Sequence, residues 1–421
     1  MKRADRQKRV VWLYDEDHLN HPFIRLAAES LVDAGYSVSV LDRAVKHGVT
    51  RYRHIALGLE NRWLIRLVNR IKRLSAPSTS MTGPNSVPLS SNASDLSVSS
   101  PSNGFWGAIS GLYGQMLNAF FLTSVLLQTI VRRPSIIIAS LPNVAAMGWL
   151  AAGLWRSRLV YYPFELYGEQ YTVVPPLWKR LELFLLSRGI DALITQNEER
   201  ARIYVEERKA HVAPVIVHNY KARRRVPRSG KLRDLLKLPA ECRIVLYEGQ
   251  LQVGRCLTHL IRSASWLPDD TRLVFMGEKF PWWEQKAEPL LKASKGAGKI
   301  LVAPRVLHTE LLDYVTDADV GVIIYDDTVR NNYYCEPGKL SDYLAAGVPV
   351  VVPDFPTIAP VVHRYGIGAA FKSPEPEEIA RAIIQVLSVQ RRVWQTALER
   401  ARGELVWETQ LPDFLTAVAG R

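Results

Sequence analysis

Cysteine is scarce in this 421-residue chain: Cys242, Cys256 and Cys335 stand far apart, with no CxxC spacing. That excludes a disulfide framework and a clustered zinc site, and suits a reducing compartment. Long apolar runs are also missing. The basic N-terminus leads through a short apolar stretch straight into Asp15-Glu16-Asp17, too short for a signal-peptide core, so a cytoplasmic chain opening on a strand is expected. The longest stretch without charge, residues 96–131, has a 16-residue apolar part at 116–131, short of the roughly 20 a membrane span needs. A buried or interface-lying helix is the expectation there. Acidic residues are few in one half only. Residues 1–240 hold 34 basic and 18 acidic side chains, and residues 241–421 hold 20 and 23. The excess of positive charge therefore belongs to the first half, which suits an anionic partner or a solvated basic face. No recognition module or aromatic stacking face accompanies it, so nucleic acid is not expected.

What is present is an alternation of short Val/Ile/Leu-rich strands with helical stretches, the pattern of parallel α/β layers. Strands are expected at 10–14, 36–41, 135–139, 159–162, 192–195 and 214–218, then at 243–247, 272–276, 299–302, 320–324 and 348–352. Pro22 suits a first helical position and Gly35 a helix C-terminus. The 29 residues 75–103 include 11 Ser and one charge, Asp95, and read as a flexible insertion. The resulting division is an N-terminal Rossmann-like unit at 1–220, a basic linker at 221–239, a second Rossmann-like unit at 240–390 and a helical segment at 391–421.

Between two such units, ligands bind at the carboxyl ends of strands. In YEGQLQVGRC (247–256), Gly249 permits close backbone approach and Arg255 offers a fixed charge, read as opening a helix. In CEPGKLSDYLAAGVPVVV (335–352), Glu336 and Asp342 flank a helix start, with Gly338 and Lys339 between them. Those carboxylates suit sugar and ribose hydroxyls and Lys339 suits phosphate, although first-turn acids also complement a helix dipole. Asp15-Glu16-Asp17 and Asp317-Ala318-Asp319 each spell DxD, but no His or further carboxylate stands at ligand spacing, so no metal is expected.

These segments together resemble the C-terminal half of GT-B glycosyltransferases, nearest to the retaining, nucleotide-sugar-dependent "group 1" family. The residues that carry the resemblance are Gly249-Gln250-Leu251 with Arg255, FMGE at 275–278, DADVGVIIY at 317–325 and SDYLAAGVPVVV at 341–352. Segments 159–170, 193–204 and 214–220 are similar to later elements of the family's N-terminal domain.

The resemblance implies two Rossmann-like domains facing each other across a cleft, with a C-terminal helix packing back toward the first. It implies a nucleoside-diphosphate-sugar donor of UDP or GDP type, no other cofactor, and a retained anomeric configuration. Arg255 and Lys339 would hold the diphosphate, Asp342 the ribose, Glu336 the transferred sugar, and the backbone at Arg305–Val306 the base. Three family features are replaced here: the usual Arg of the G-R-L turn is Gln250, the double glycine of the first loop is absent, and Tyr-Pro-Phe164-Glu165 stands where a His is usual. Glu165 could serve as base or acceptor contact, or merely cap local structure; His18 and His21 lie on the loop expected to face the acceptor. The basic first half then implies a lipid-linked or envelope-polysaccharide acceptor and peripheral contact with an anionic membrane on its cytoplasmic face. A nucleotide-sugar epimerase of this fold, or an inert scaffold subunit, are the alternatives.

Overall fold

A computed structural model describes residues 8–16, 21–44, 50–57, 105–170 and 175–420, with backbone alone for 105–113. His18 and the Ser-rich insertion expected at 75–103 lie outside the described residues.

Among the described residues, thirteen strands form two all-parallel sheets. The first contains β1 (Arg9–Leu13), β2 (Ser37–Asp42), β3 (Arg53–Ala56), β4 (Ile136–Ala139), β5 (Arg158–Tyr161), β6 (Ala192–Thr195) and β7 (Pro214–Ile216), in the order β3-β2-β1-β4-β5-β6-β7. The second contains β8 (Arg243–Glu248), β9 (Thr271–Met276), β10 (Ile300–Ala303), β11 (Val320–Val322), β12 (Val350–Pro353) and β13 (Gly368–Phe371), in the order β10-β9-β8-β11-β12-β13. Both orders reverse beside the first strand, between β1 and β4 and between β8 and β11. That reversal opens a crevice at the strands' carboxyl ends. Runs such as Ile136–Ala139 and Val350–Pro353 are buried throughout because helices cover both faces.

The helices that matter below are α1 (Pro22–Asp33), α2 (Phe105–Arg132), α3 (Pro142–Trp155), α4 (Pro176–Phe184), α5 (Glu198–Arg202), α6 (Lys231–Leu236), α7 (Leu257–Ser263), α8 (Lys339–Ala345), α9 (Arg391–Glu404) and α10 (Trp407–Ala419). On one face of the first sheet, α2 and α3 pack Phe121, Leu122, Val125, Val144 and Ala145 over Val11, Leu13, Ile137 and Leu159. On the other face, α1 meets Trp12 and Tyr162, and so does α10 through Trp407 and Phe414. The C-terminal helix thus returns to the first sheet, as expected. Burial of side chains this large stabilises the arrangement by about 1.5–3 kcal/mol each.

The chain passes between the units twice, near Lys221 and near Trp407, and the passages touch: the Trp407 N–H donates to the Lys221 carbonyl at 2.9 Å. Within the basic stretch 221–239, α6 buries Leu232 in the core of the second unit. Asp317 holds the start of that helix, accepting N–H groups from Gly230 and Leu232, each at 2.8 Å.

Candidate functional site

In the second unit the site grows from the switch point between β8 and β11. Gly249 follows β8 with φ +129°, and a Cβ there would come within 2.7 Å of Lys339 Cε. Glycine is needed both for that backbone angle and for the room Lys339 occupies. The Lys339 ammonium lies 4.0 Å from the Tyr247 ring centroid and 5.4 Å from that of Tyr325. Arg255 places its guanidinium 4.5 Å over the same Tyr325 ring. Two cations therefore share one aromatic ring beside the glycine turn.

Lys339 Nζ is buried and makes no hydrogen bond, and neither does the buried Oε1 of Glu248 at the end of β8. Burial drives the Lys339 pKa well below the ordinary lysine value, opposed by Glu248 and reinforced by Arg255. Burial likewise raises that of Glu248, with Asp342 adding to the rise and Lys339 opposing it. An unsatisfied buried ammonium beside a second cation is costly unless an anion joins it. For Arg255, burial alone lowers the pKa; Tyr325, Tyr247, Cys335 and Glu165 outweigh it, and the net shift is upward. Arg255 does not open a helix, as the sequence suggested. Cys256 adopts a left-handed conformation at φ 46° and α7 begins at Leu257, which leaves Arg255 in the turn over Tyr325.

The two carboxylates of the second motif are drawn to the interdomain passage. Glu336 accepts from the Asn219 N–H at 2.6 Å and lies 2.8 Å from His218 Nδ1. Asp342, in the first turn of α8, receives Lys221 Nζ at 2.7 and 2.6 Å. Both thus fasten the passage to α8 and its preceding turn. Gly338 begins α8 beside Asn219 and Lys221. Arg305 follows β10 on the exposed rim, 2.9 Å from Glu278. Val306 packs partly against the core.

In the first unit, the turn after β1 places Asp15 in contact with Arg43 and Asn143. Tyr14 donates to Glu16 at 3.1 Å. Desolvation raises the Glu16 pKa, and the nearby Glu165 charge raises it further. Glu165 is exposed between Phe164, whose carbonyl accepts from Arg200 at 2.6 Å, and Leu166, whose N–H donates to Asn331 of the second unit at 2.8 Å, so it stands beside the contact between the units. His21, at the start of α1, packs its ring 4.5 Å from Phe164 and 5.8 Å from Tyr14.

The units are joined across the cleft by Arg200 of α5, only 3% exposed. Its guanidinium donates to the carbonyls of Tyr334 (2.9 Å), Phe164 (2.6 Å) and Asn331 (3.2 Å), to Asn331 Oδ1 (3.0 Å) and to Gln196 Oε1 (2.7 Å). The same Asn331 oxygen accepts the Leu166 N–H at 2.8 Å, and Arg330 pairs with Glu207 at 2.6 Å. Sequence reasoning missed Arg200, Glu248, Lys221, Tyr247 and Tyr325. The signal for Tyr247 and Tyr325 was their place at strand ends facing the switch point.

Residues 291–405 match the family described as "Glucosyltransferase 3-like, C-terminal domain". A D-inositol 3-phosphate glycosyltransferase of Xylanimonas cellulosilytica is 26% identical over 193 residues, which are 42% of this chain and 46% of that one, so the match spans about half of that relative. Among solved structures, sucrose-phosphate synthase from Thermosynechococcus elongatus superposes with a TM-score of 0.71 at 15% identity, covering 97% of this chain and 98% of that chain. Anabaena HepE in complex with UDP and glucose gives 0.68 at 12% identity, over 98% and 100%. The chain has the GT-B fold, and it resembles the group 1 glycosyltransferases.

Proposed function

We propose that the chain is a glycosyltransferase that takes a sugar from a nucleoside-diphosphate donor of UDP type and places it on an acceptor hydroxyl. The carrying observation is the pair Lys339 and Arg255 on the Tyr325 ring beside Gly249. A diphosphate there supplies the anion that the buried Lys339 ammonium lacks, and the glycine turn lets it approach the backbone. As the bond between the sugar carbon and the phosphate oxygen breaks, negative charge grows on the leaving diphosphate. Fixed cations aimed at that charge lower the barrier without reorganising. UDP is favoured over GDP because a solved structure of the same fold holds UDP with glucose.

Glu165 is the candidate for contact with the acceptor. It is exposed beside the contact between the units and can take the hydroxyl proton or orient the hydroxyl by accepting its hydrogen bond. His21 lines the same side. Transfer with retention, onto a lipid-linked or envelope-polysaccharide acceptor at the cytoplasmic face of an anionic membrane, completes the reading; the basic first half of the chain supports it.

The test is calorimetry with UDP, GDP, ADP, CMP and dTDP on the wild type and Arg255→Ala. UDP is expected to bind, and to weaken by roughly tenfold or more in the variant, the worth of one charge-assisted contact. Absence of binding by every nucleotide would overturn the donor site in favour of an inert scaffold. Turnover of donor that needs no acceptor would point to an epimerase.

A further inference from the structure

Helices α2, α3 and α4 form one layer over the first sheet, and their outward surface is unusually apolar. Met116, Phe120, Leu127 and Val131 are exposed along α2, at spacings of four and seven that keep them on one stripe. Trp149, Leu150 and Leu154 continue the surface on α3, and Leu177, Leu183 and Phe184 do so on α4. The ring of Trp149 meets that of Phe184 at 5.3 Å, which joins the two patches. Soluble monomers rarely expose a contiguous apolar area of this kind without a partner.

The rim is mainly basic, the exposed Asp191 being taken up by the Leu159 N–H at 2.7 Å. Residues 96–164 contain no acid, and Glu182 of α4 is buried against Arg208 at 2.7 Å. Around the apolar surface stand Arg133, Arg156, Lys179, Arg180 and Arg188, all exposed. Arg133 lies 4.9 Å over Trp155 and Arg188 5.8 Å over Phe184, stems along aromatic surface and charge outward.

We infer that the α2–α3–α4 face is a docking surface for an anionic lipid bilayer, on which the helices lie flat. The rim charge decides the occupant: a second copy laid on the same face would oppose arginine to arginine, whereas anionic headgroups complement it. By length and composition the 19-residue helical segment Gly114–Arg132 is apolar enough to cross a membrane, longer than the 16 residues the sequence alone marked out. Its other side, however, packs Phe121, Leu122 and Val125 into the sheet core, so it lies on the bilayer and does not traverse it. The inference names the surface that the proposed membrane-borne acceptor requires, and rests on that reading for its purpose.

The test is co-sedimentation of the full chain with vesicles of phosphatidylglycerol and phosphatidylcholine, against phosphatidylcholine alone. Two double variants are compared, Leu127→Gln/Leu154→Gln and Arg180→Gln/Arg188→Gln. The wild type is expected on the anionic vesicles at low salt. The leucine variant should lose about tenfold in partitioning, and the arginine variant about tenfold on anionic vesicles only. Thermal melts and UDP calorimetry on the same variants should be unchanged, which separates this surface from the donor site; failed UDP binding with intact vesicle binding overturns the function and not the surface. Wild type that stays in solution with anionic vesicles overturns the inference. So do variants that bind like wild type, or a dimer in light scattering that the leucine changes dissolve.

Discussion

Arg200 of the first unit and Tyr334 of the second are joined by a 2.9 Å hydrogen bond from guanidinium to main-chain carbonyl. The same guanidinium grips the carbonyl of Phe164, one residue before Glu165. One side chain therefore sets the spacing between Glu165 and the turn that leads to Lys339. Arg200→Ala strands several buried carbonyls and should destabilise the protein by about 2–4 kcal/mol. If the role is positioning, Arg200→Lys should keep much of the stability but still lower kcat and raise the donor KM together, since an ammonium cannot reach all these acceptors. Thermal melts beside steady-state kinetics separate the two effects.

Lys339→Met should act in opposite directions on affinity and stability. Removing the proposed phosphate partner should weaken UDP binding by roughly tenfold to a hundredfold. Removing a buried, unpaired ammonium should leave the melting temperature of the free protein unchanged or higher. Calorimetry and a melt on one preparation check both. A loss of stability equal to the loss of affinity would show that Lys339 is structural.

Donor binding should also be linked to protons. Burial lowers the Lys339 pKa in the free protein, and a bound diphosphate raises it again. Binding then takes up a proton at any pH between the free and bound values. Affinity for UDP-glucose should accordingly fall as pH rises from that depressed value toward the ordinary lysine range. The measurement is calorimetry in buffers of different ionisation enthalpy, where proton uptake appears as a buffer-dependent heat that Lys339→Met abolishes.

The contact of His218 with Glu336 predicts a second pH dependence, in stability. Burial opposes the charge on His218, but the hydrogen bond and the charge of Glu336 outweigh it, so its pKa is raised on folding. A raised pKa stabilises fully below the ordinary histidine value of about 6.5 and is lost as pH climbs past the folded value. The melting temperature of the wild type should therefore exceed that of Glu336→Gln by most in mild acid, and the gap attributable to the ion pair should narrow in alkali. For this partly exposed group the term is about 1 kcal/mol.

Glu165→Gln tests the acceptor side. If Glu165 takes the hydroxyl proton, kcat should fall by about 10²–10⁴, with donor affinity within a factor of a few of wild type. A variant with near-normal kcat would reduce Glu165 to a structural cap.

Much of the fold was legible in the sequence because each central strand is a continuous apolar run flanked by turn residues, as in Ile136–Ala139 or Val350–Pro353. Two of the four edge strands were not: β3 reads RHIA and β13 reads GAAF, too short and too mixed to stand out from a loop, whereas β7 and β10 were expected. In the site, Gly249, Arg255 and Lys339 were legible because a glycine turn and isolated cations near helix starts point to phosphate. Arg200 was hidden in NEERARIY, which reads as an ordinary charged helix surface, and only the approach of the second unit buries it. The contacts of Glu336 and Asp342 with His218, Asn219 and Lys221 were not legible, because nothing local marks partners more than a hundred residues away.

The two passages between the units lie side by side, tied by the Trp407 N–H and the Lys221 carbonyl. Two straps at one edge, with the Arg200 contacts beyond them, hold the units in register: the seats of Arg255 and Glu165 are set by the chain and its clasp before any ligand arrives. Cutting the chain between α9 and α10 would remove one strap and leave that register to the Lys221 passage and Arg200 alone.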